Sequence, residues 1–342
     1  MKPYDSKGEM TMHDTFQALV LNREENRLHA EVTEVKRDAL PREEDGNVLV
    51  EVHYSALNYK DALGLTGAGA IINEFPFIPG CEFVGKVVES DHLDFKEGDE
   101  VIATGFGIGE RHFGGFSHYA QVPGNWLVKL PKGLSMRDAI TIGTPGLTAI
   151  FAVEALEHEQ IHPGQEVLVT GASGGVGSFA IAILHKLGYH VLASTGKTDP
   201  AYLRALGVEN IMARSELEGP ARPLDKQRFD AAIDSVGGET LGNILSRTRY
   251  EGTVVACGLA GGHELHTTVY PFILRGVRLI GIDSVMQPVS RRMTAWERLH
   301  ELVDETVLKH MVHEIPLHDV PRQAEAMLRG ELSGRTVVRL HS

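Results

Sequence analysis

The chain has 342 residues, of which 42% are hydrophobic and 23% charged, and its formal net charge at pH 7 is −13. This length fits two domains, and the acidic balance argues against a nucleic-acid partner or a membrane surface. Only two cysteines are present, which excludes a disulfide framework and a four-cysteine zinc lobe and indicates a reducing compartment, so we predict a cytoplasmic protein.

The first part of the chain is predicted to form a β-rich, barrel-like domain. Residues 1–15 are polar, lack the apolar core of a signal peptide, and are predicted as a flexible extension. No window in the chain resembles an 18-residue apolar membrane span. Alternating apolar and polar residues then predict strands at 16–21, 30–35, 48–54, 80–90, 98–104, 117–122 and 126–129, with a glycine-rich loop at 105–115.

From Ser135 the apolar period changes to that of helices. Ser135 is predicted as an N-cap with Asp138 at the capping-box position, and two helices are predicted on either side of residues 144–146. Strands and helices then alternate, which is typical of a doubly wound parallel sheet. The strands are predicted at 166–170, 190–194, 210–212, 230–234, 253–257 and 277–282, and the helices at 177–187, 199–206 and 238–247. The tail is predicted to hold helices at 290–303 and 320–329, a β-run at 311–315, and a last strand at 336–340 that can return to the first domain.

A glycine-dense turn at residues 171–177 lies between a predicted strand and a predicted helix. Strand, glycine turn, helix and strand form the βαβ context that a dinucleotide fingerprint requires. Glycines without Cβ atoms let the backbone approach a pyrophosphate closely, and the helix N-terminus offers N–H groups and a positive dipole end. The match to GxGxxG is imperfect, because Ala172 occupies the place of the first glycine. The context predicts a nucleotide site, the alternative being a structural tight turn.

The end of the second strand of this unit indicates which cofactor is bound. NAD-binding folds carry Asp or Glu about 20 residues past the fingerprint, where it binds the ribose hydroxyl. Here that place reads Ser194-Thr195-Gly196-Lys197, which offers hydroxyls and an ammonium but no carboxylate. We therefore predict NADPH over NADH. The alternative is that Lys197 is an ordinary solvated lysine.

Three blocks of sequence together resemble the zinc-independent medium-chain dehydrogenase/reductases. The blocks are ALNYKDAL at 56–63, TGASGGVG at 170–177, and ACGLAGG with YPFILRGVRLIGIDSV at 256–262 and 270–285. The resemblance covers nearly the whole chain from Phe16. Within that family the last block is similar to the acryloyl-CoA reductase branch, whose members are often labelled quinone oxidoreductases of the YhdH/YhfP type.

The resemblance implies an α/β fold of two domains with the active site in the cleft. A GroES-like, β-rich catalytic domain would comprise residues 16–135 and 290–342, and a Rossmann NADPH-binding domain residues 136–289. It also implies NADPH-dependent reduction of an activated carbon–carbon double bond and a homodimer. We expect the strand at 277–282 to pair across that dimer.

A metal site is not predicted, although the wider superfamily contains zinc alcohol dehydrogenases. Where those enzymes have a cysteine and then a histidine before glutamate, this chain has Asn58 and then Cys81-Glu82. Asn58 is a poor zinc ligand, so the usual thiolate–imidazole set is broken. Two histidine pairs elsewhere lack HExxH spacing and a nearby cysteine: His263/His266 and His310/His313.

Tyr59, in the predicted turn 58–61, is the first catalytic candidate. Reducing an enoyl thioester such as acryloyl-CoA requires a hydride at the β-carbon, hydrogen-bond donors for the enolate and a proton for the α-carbon. The phenol can donate a hydrogen bond and could deliver that proton, while Asn58 could orient the cofactor or the substrate. The alternatives are a buried tyrosine and a turn-capping amide. Lys60 and Asp61 are expected to pair with each other or with solvent.

The resemblance implies the rest of the cofactor site. The pyrophosphate would be held by Ser173, Gly174, Gly175, Val176 and Gly177. The 2′-phosphate end would be formed by Ser194, Thr195, Gly196 and Lys197, with Arg214 as a second cation. The ribose and nicotinamide would meet Tyr59, Thr144, Leu259, Ile273 and Ser284. For Leu259 and Ile273, ordinary core packing is the alternative.

The substrate is less closely specified by the sequence. Coenzyme A is polyanionic, and four arginines around the family-specific block could hold it, the alternative being a solvated charged face: Arg275, Arg278, Arg291 and Arg292. Three functions stay open: an NADPH-dependent reductase of a short enoyl thioester, an NADPH:quinone or enone oxidoreductase, and a non-catalytic NADPH-binding sensor.

Overall fold

The computed structural model describes residues 14–25, 27–196 and 201–341, which fall into two compact units. The first unit comprises the described residues up to Leu130, Glu314–Arg329 and those from Val337 onward; the second comprises Pro131–His313 and Gly330–Thr336. This grouping differs from the predicted domains at residues 290–313 and 330–336, which fall in the second unit. The two helices at 290–313 pack on the long helix Met136–His158. The predicted domain boundaries themselves stay a prediction.

The first unit contains an antiparallel pair and is organised around a seven-stranded sheet. The pair is β1 (Thr15–Glu24) with β2 (Arg27–Lys36). The sheet contains, in spatial order, β14 (Val312–Pro316), β15 (Arg335–Arg339), β3 (Asn47–Leu57), β4 (Glu82–Ser90), β5 (Glu100–Thr104) and β7 (Leu127–Lys129), and β6 (Tyr119–Pro123) also pairs with β3. The terminal strand β15 thus lies beside β3, which confirms the predicted return of the chain. Its core contains apolar side chains of both sheets, among them the fully buried Leu19 and Phe83, and of the loops, among them Phe116.

A helix that the sequence did not predict follows β3. Residues 58–61 were predicted as a turn, but α1 runs over Tyr59–Thr66. Asn58 is its N-cap, and the backbone N–H of Asn58 donates to the Asp61 carboxylate at 2.9 Å. Gly67 ends the helix in the left-handed conformation, with φ 73°. The helix packs against α9 (Val320–Leu328).

The second unit contains a six-stranded parallel sheet. Its strands are β8 (Glu166–Val169), β9 (His190–Thr195), β10 (Asn210–Ala213), β11 (Phe229–Asp234), β12 (Thr248–Ala256) and β13 (Arg278–Gly281). They lie in the order β10-β9-β8-β11-β12-β13, so the direction of winding reverses between β8 and β11. This is the order of a dinucleotide-binding doubly wound fold, whose ligand lies outside the carboxyl ends of the strands at that reversal. The predicted fold class is confirmed.

The described helices of this unit are α2 (Met136–His158), α3 (Gly175–Lys186), α4 (Ala201–Ala205), α5 (Gly238–Arg247), α6 (Tyr270–Arg275), α7 (Val289–Leu302) and α8 (Glu305–Met311). The two helices predicted around residues 144–146 are joined in α2, which is interrupted at Gly143 (φ 48°, ψ −155°). Ser135 is the N-cap as predicted, and its Oγ accepts a hydrogen bond from the Asp138 N–H at 3.0 Å.

Helix α2 is long and apolar enough to cross a membrane by length and composition, with a mean hydropathy of 1.5. The expectation that no window resembles such a span is therefore wrong for this helix. However, 83% of its apolar window is buried inside the protein, and α3 and α7 pack on it. Burial of this kind is what the central helix of a folded core shows, so its apolar composition is explained by packing.

Candidate cofactor and active site

The glycine turn connects β8 to the N-terminus of α3, which begins at Gly175, two residues earlier than predicted. Gly174 is the N-cap, and no side chain among the described residues caps the first turn. A Cβ at Gly177 would lie 2.4 Å from the Gly171 carbonyl oxygen, so the turn requires glycine there. Ser173 is fixed through its carbonyl, which accepts from Gly334 N at 2.9 Å. Bare main chain and N–H groups at a helix N-terminus form a cradle that fits a pyrophosphate.

The structure brings together the residues predicted for the 2′-phosphate end, except Lys197, which lies outside the described residues. Ser194 and Thr195 end β9 and Gly196 follows it, next to the glycine turn, where the Ser194 carbonyl accepts from Ala172 N at 3.4 Å. Arg214 follows β10, and its Cζ lies 3.1 Å from where a Cβ of Gly196 would be. The hydroxyl-bearing Ser194 and Thr195 are buried, whereas Arg214 is exposed. Among the residues predicted for this edge that the structure describes, the cation is therefore Arg214, which also pairs with Glu218 at 3.1 Å.

Replacing Arg214 with alanine is expected to raise the Kd for NADPH about tenfold and to leave the Kd for NADH nearly unchanged. A charge-assisted hydrogen bond contributes roughly 1.5–3 kcal/mol, and only NADPH carries the 2′-phosphate. Fluorescence titration with both cofactors measures this. Arg228→Ala is the matched control, because both arginines form an ion pair, Arg214 with Glu218 and Arg228 with Glu216, and the Arg228 side chain is partly exposed. Equal weakening of both cofactors would contradict the assignment.

Thr144 and Ser284, both predicted at the nicotinamide end, are joined by a residue that the sequence did not single out. Thr148 Oγ1 lies 2.8 Å from Ser284 Oγ and 2.8 Å from the Thr144 carbonyl oxygen. Thr148 is buried, with 5% of its surface exposed. A threonine four residues after Thr144 on a helix is the signal that could have found it, because residues four apart share a helix face.

Leu259 and Ile273 are exposed, by 56% and 68% respectively. Core packing, the alternative interpretation, is therefore wrong for both. Leu259 lies in the loop after β12, whose Gly258 packs so closely on Ser235 that a Cβ would lie 2.5 Å from the Ser235 carbonyl oxygen. Ile273 lies on α6, and none of the described contacts joins it to the other predicted cofactor residues.

Asp234, at the end of β11, is a buried carboxylate that the sequence analysis missed. It accepts hydrogen bonds from Thr170 Oγ1 at 2.5 Å, from Gly237 N at 2.8 Å and from Val236 N at 3.3 Å. Burial raises the pKa of Asp234, while the hydrogen bonds lower it. The carboxylate ties the ends of β8 and β11 together where the winding reverses. The sequence signal that could have found Asp234 is an acidic residue placed between a predicted strand and a Gly-Gly pair.

In the first unit, Asn58 and Tyr59 occupy the start of α1. The Asn58 side-chain amide donates to Glu82 Oε1 at 2.7 Å and lies 3.3 Å from Cys81 Sγ. The side-chain amide of Asn58 is thus hydrogen-bonded to the first residue of β4. Tyr59 is 38% exposed, so the alternative of a buried tyrosine is wrong. An exposed phenol at a helix N-terminus is available to a ligand.

Asp61 holds this start of α1 from inside the unit. Its carboxylate accepts from Asn58 N and Cys81 N, both at 2.9 Å, and from Cys81 Sγ at 3.3 Å. Lys60 instead pairs with Glu110 at 2.7 Å, so the expected pairing of Lys60 with Asp61 is wrong. Burial is the main cause that raises the pKa of Asp61 to about 6.

The side chains around Asn58 do not fit a zinc ion. Burial, and then the charges of Asp61 and Glu82, raise the pKa of the Cys81 thiol well above its usual value. A protonated thiol and an amide nitrogen are not zinc ligands. Within residues 14–25, 27–196 and 201–341, no group of three or more His, Cys, Asp or Glu side chains could hold a metal. The absence of a metal stays a prediction.

Asp61→Asn is expected to remove a component of stability that falls as pH rises. The carboxyl pKa is about 6 in the folded chain against 3.8 ordinarily, so the folded state binds more protons between these values. Stability is therefore lost through that window and is lower by on the order of 3 kcal/mol above it. Urea denaturation at several pH values measures the difference between wild type and variant.

Asp99→Asn is the control for this prediction. Lys129 lowers the pKa of Asp99, so this carboxylate adds stability as pH rises, and the difference between wild type and variant should change in the opposite direction. A difference between wild type and Asp61→Asn that does not vary with pH would contradict the expectation.

The four arginines considered for a coenzyme A carrier have other partners. Arg292 is fully buried and donates to the carbonyls of Ser284 and Val285, at 3.0 and 2.6 Å. Arg275 donates to the carbonyl of Asp225 at 2.6 Å. Both arginines therefore support the backbone. Neither of the two interpretations made from the sequence, a contact with coenzyme A and a solvated charged face, holds for them. The other two form ion pairs with helix α2 and the residue after it: Arg278 with Glu159, and Arg291 with Glu154.

Two family models match the chain. The alcohol dehydrogenase GroES-like domain matches residues 44–132, and the zinc-binding dehydrogenase model matches residues 175–304. Probable acrylyl-CoA reductase AcuI of Escherichia coli (strain K12) is 47% identical over 328 residues, which cover 95% of this chain and 100% of that protein.

Solved structures show the same similarity. The crystal structure of the yhdH oxidoreductase from Salmonella enterica in complex with NADP has a TM-score of 0.92 and 49% identity, covering 95% of this chain and 100% of that one. The putative quinone oxidoreductase YhfP of Bacillus subtilis (strain 168) is 43% identical over 333 residues, 96% of this chain and 100% of that protein. Its structure with NAD bound has a TM-score of 0.90.

Proposed function

We propose a function from the premise that the chain belongs to the medium-chain dehydrogenase/reductase family with a GroES-like and a Rossmann domain, in the branch of the acrylyl-CoA reductases AcuI and of YhfP. On this proposal the protein is an NADPH-dependent oxidoreductase. It reduces the carbon–carbon double bond of a short enoyl thioester and converts acryloyl-CoA to propanoyl-CoA. The observation that carries this function is the identity of 47% with probable acrylyl-CoA reductase AcuI over that protein's full length.

The cofactor is NADPH. The cradle formed by the glycine turn, with Gly177 packed on Gly171, and the cation Arg214 against Gly196 support this choice. A structure of the YhfP relative contains NAD, whereas the Salmonella relative contains NADP. Bound NADPH supplies a hydride to the β-carbon of the substrate, a proton is added at the α-carbon, and NADP⁺ is left.

The chain itself has to stabilise the enolate and provide that proton. The exposed Tyr59 hydroxyl is the group that would donate a hydrogen bond to the thioester oxygen or deliver the proton. Asn58, whose amide is held by Glu82, fixes the start of the helix that carries Tyr59. These roles are proposals, since what supports them is exposure and local hydrogen bonding.

The deciding experiment compares kcat/KM for acryloyl-CoA and for 1,4-benzoquinone with NADPH. We expect acryloyl-CoA to be favoured by at least about tenfold. The second candidate, a quinone or enone oxidoreductase, is favoured by the similarity to the putative quinone oxidoreductase YhfP, and a higher value for benzoquinone would establish it instead. If the protein binds NADPH but oxidises it in neither assay, the remaining function is that of a non-catalytic NADPH-binding sensor.

We infer that the second copy of a homodimer pairs along β13. This strand ends the described order of the parallel sheet, and apolar side chains are exposed on α6, which packs on the neighbouring strand β12, and on the segments before α6 and after β13. They are Leu265, Val269, Tyr270, Ile273, Leu274 and Met286. An apolar set of this kind at a sheet edge favours association. Sedimentation should show a dimer that Leu274→Glu converts to a monomer; a wild-type monomer would refute the inference.

The compartment and the domain boundaries are also proposals. The two described cysteines are both unpaired thiols, which supports a cytoplasmic location, and cell fractionation would test it. The acidic net charge of −13 supports a small-molecule substrate and neither nucleic acid nor a membrane as partner. Limited proteolysis would test the boundaries at residues 135 and 290.

A further inference from the structure

We propose that Thr148 is a positioning residue for the nicotinamide end of the cofactor site, acting through the hydroxyl of Ser284 and the backbone of Thr144. This proposal rests on the proposed function, because it takes NADPH as the ligand. Thr148 belongs to none of the residues that the sequence motifs or the resemblance single out. It is 5% exposed, so it acts through its neighbours and not by contact with a ligand.

The hydroxyl of Thr148 lies between two hydrogen-bond partners. Its single hydroxyl has two partners at the same distance of 2.8 Å, the Thr144 carbonyl and Ser284 Oγ. A threonine hydroxyl has one hydrogen to donate and two lone pairs to accept with. If Thr148 donates to the Thr144 carbonyl, it accepts from Ser284; if it donates to Ser284, the hydrogen of Ser284 is directed away from Thr148. In both arrangements Thr148 fixes where the Ser284 hydroxyl points.

Arg292 holds the backbone that carries Ser284. Arg292, fully buried, donates to the carbonyls of Ser284 at 3.0 Å, Val285 at 2.6 Å and Gln287 at 2.9 Å. Three carbonyls on one guanidinium hold this segment with its backbone polar groups satisfied. The rotation of the Ser284 side chain is the freedom that remains, and Thr148 removes it.

Thr144 connects this cluster to the glycine turn. Thr144 follows Gly143, where the helix is interrupted (φ 48°), and precedes Pro145. The ring of Pro145 lies 3.2 Å from where a Cβ of Gly175 would be, at the start of α3. Thr144 is therefore joined to the cradle that fits the pyrophosphate through the next residue, Pro145, and the proposal places the nicotinamide end of the dinucleotide beside Thr144 and Ser284.

The consequence is a separation of cofactor binding from hydride transfer. In the proposed site the phosphates are held at the glycine turn and at Arg214, and neither is among the hydrogen-bond partners of Thr148. Transfer of a hydride depends on the orientation of the nicotinamide ring, and a misplacement of about 1 Å can cost about 100-fold in rate. Loss of the Thr148 hydroxyl should therefore affect the orientation of the ring more than the affinity for NADPH.

The test is Thr148→Val, which removes the hydroxyl and keeps the shape of the side chain. The matched control is Thr141→Val, because Thr141 is also buried on α2 and its hydroxyl also donates to the carbonyl four residues earlier, that of Arg137, at 2.7 Å. Thr141 has no described side-chain contact with a predicted cofactor residue. Three quantities are measured: the Kd for NADPH, the fluorescence lifetime of bound NADPH, and kcat with acryloyl-CoA.

We expect Thr148→Val to lower kcat about tenfold and to change the lifetime of bound NADPH, while the Kd for NADPH stays within about threefold. Thr148→Ser, which keeps the hydroxyl, should restore the lifetime and most of kcat, and Thr141→Val should alter neither. If Thr148→Val does not fold, Thr148→Ala removes the same hydroxyl without changing Ser284 and should give the same changes in lifetime and kcat.

A lifetime and kcat that are unchanged in Thr148→Val would overturn the proposal, as would equal changes in Thr141→Val. The proposed function can fail separately. If wild-type protein binds NADPH but does not reduce acryloyl-CoA, the substrate assignment is wrong, and the fluorescence lifetime still decides whether Thr148 orients the ring.

Discussion

Tyr59→Phe is expected to lower kcat for acryloyl-CoA reduction by about 100-fold, while the Kd for NADPH stays within about threefold. The reason is that general-acid catalysis contributes roughly 10²–10⁴ in rate, and the phenol is the exposed donor at the start of α1. The phosphates of the cofactor are bound elsewhere, at the glycine turn and Arg214, so affinity should hardly change. Steady-state kinetics and a fluorescence titration on the same preparation measure the two quantities.

The control for this prediction is Tyr250→Phe, because Tyr250 is a phenol with 66% exposure that has no proposed role. It should leave both quantities as in wild type. Unchanged turnover in Tyr59→Phe would remove the proton-donor role from Tyr59 and leave water as the donor. A loss of NADPH affinity that accounts for the whole loss in kcat/KM would assign Tyr59 to cofactor binding alone.

Gly177→Ala is expected to raise the Kd for NADPH by about 100-fold, which corresponds to about 2.7 kcal/mol. The added methyl would lie 2.4 Å from the Gly171 carbonyl oxygen and 2.8 Å from Ala172 Cα. Both are backbone atoms, so the turn has to shift and the cradle for the pyrophosphate is lost. Titration with NADPH, together with Tm, measures the effect.

Gly174→Ala is the comparison within the same turn. A Cβ there would lie 3.2 Å from the Gly171 carbonyl oxygen, and φ is −81°, which any residue adopts. Its effect on the Kd should therefore be much smaller, at most about tenfold. Equal effects of the two substitutions would show that the close packing of Gly177 does not shape the site. A Gly177→Ala protein with a lowered Tm and a normal Kd for NADPH would also show that this packing does not shape the site.

Much of the second unit could be predicted from the sequence, because its signals are local. The β8–α3–β9 segment was predicted within two residues at each end, since glycine, the N-cap and apolar periodicity all act over a few neighbours. Helix α5 was predicted with its observed bounds, Gly238–Arg247. Arg214 was predicted at the cofactor edge, and the structure places it against Gly196.

The predictions that were wrong depend on partners far away in the sequence. Asp61 was expected to meet Lys60 or solvent, but its partners include Cys81, twenty residues on. Arg292 was considered as a cation for a ligand, but it is buried on the carbonyls of the segment before α7. Helix α1 was predicted as a turn because its eight residues are too few for apolar periodicity, and packing against α9 stabilises it.

The sequence by itself determined the α/β class, the glycine turn and the choice of NADPH, because these follow from backbone freedom and from charge at neighbouring positions. Only the tertiary structure decided which hydroxyls and carboxylates act together. Thr148 and Ser284 are 136 residues apart, and Thr170 and Asp234 are 64 apart, yet each pair forms a hydrogen bond. Such pairs are made when strands and helices pack, and no local pattern of residues encodes the distance between them.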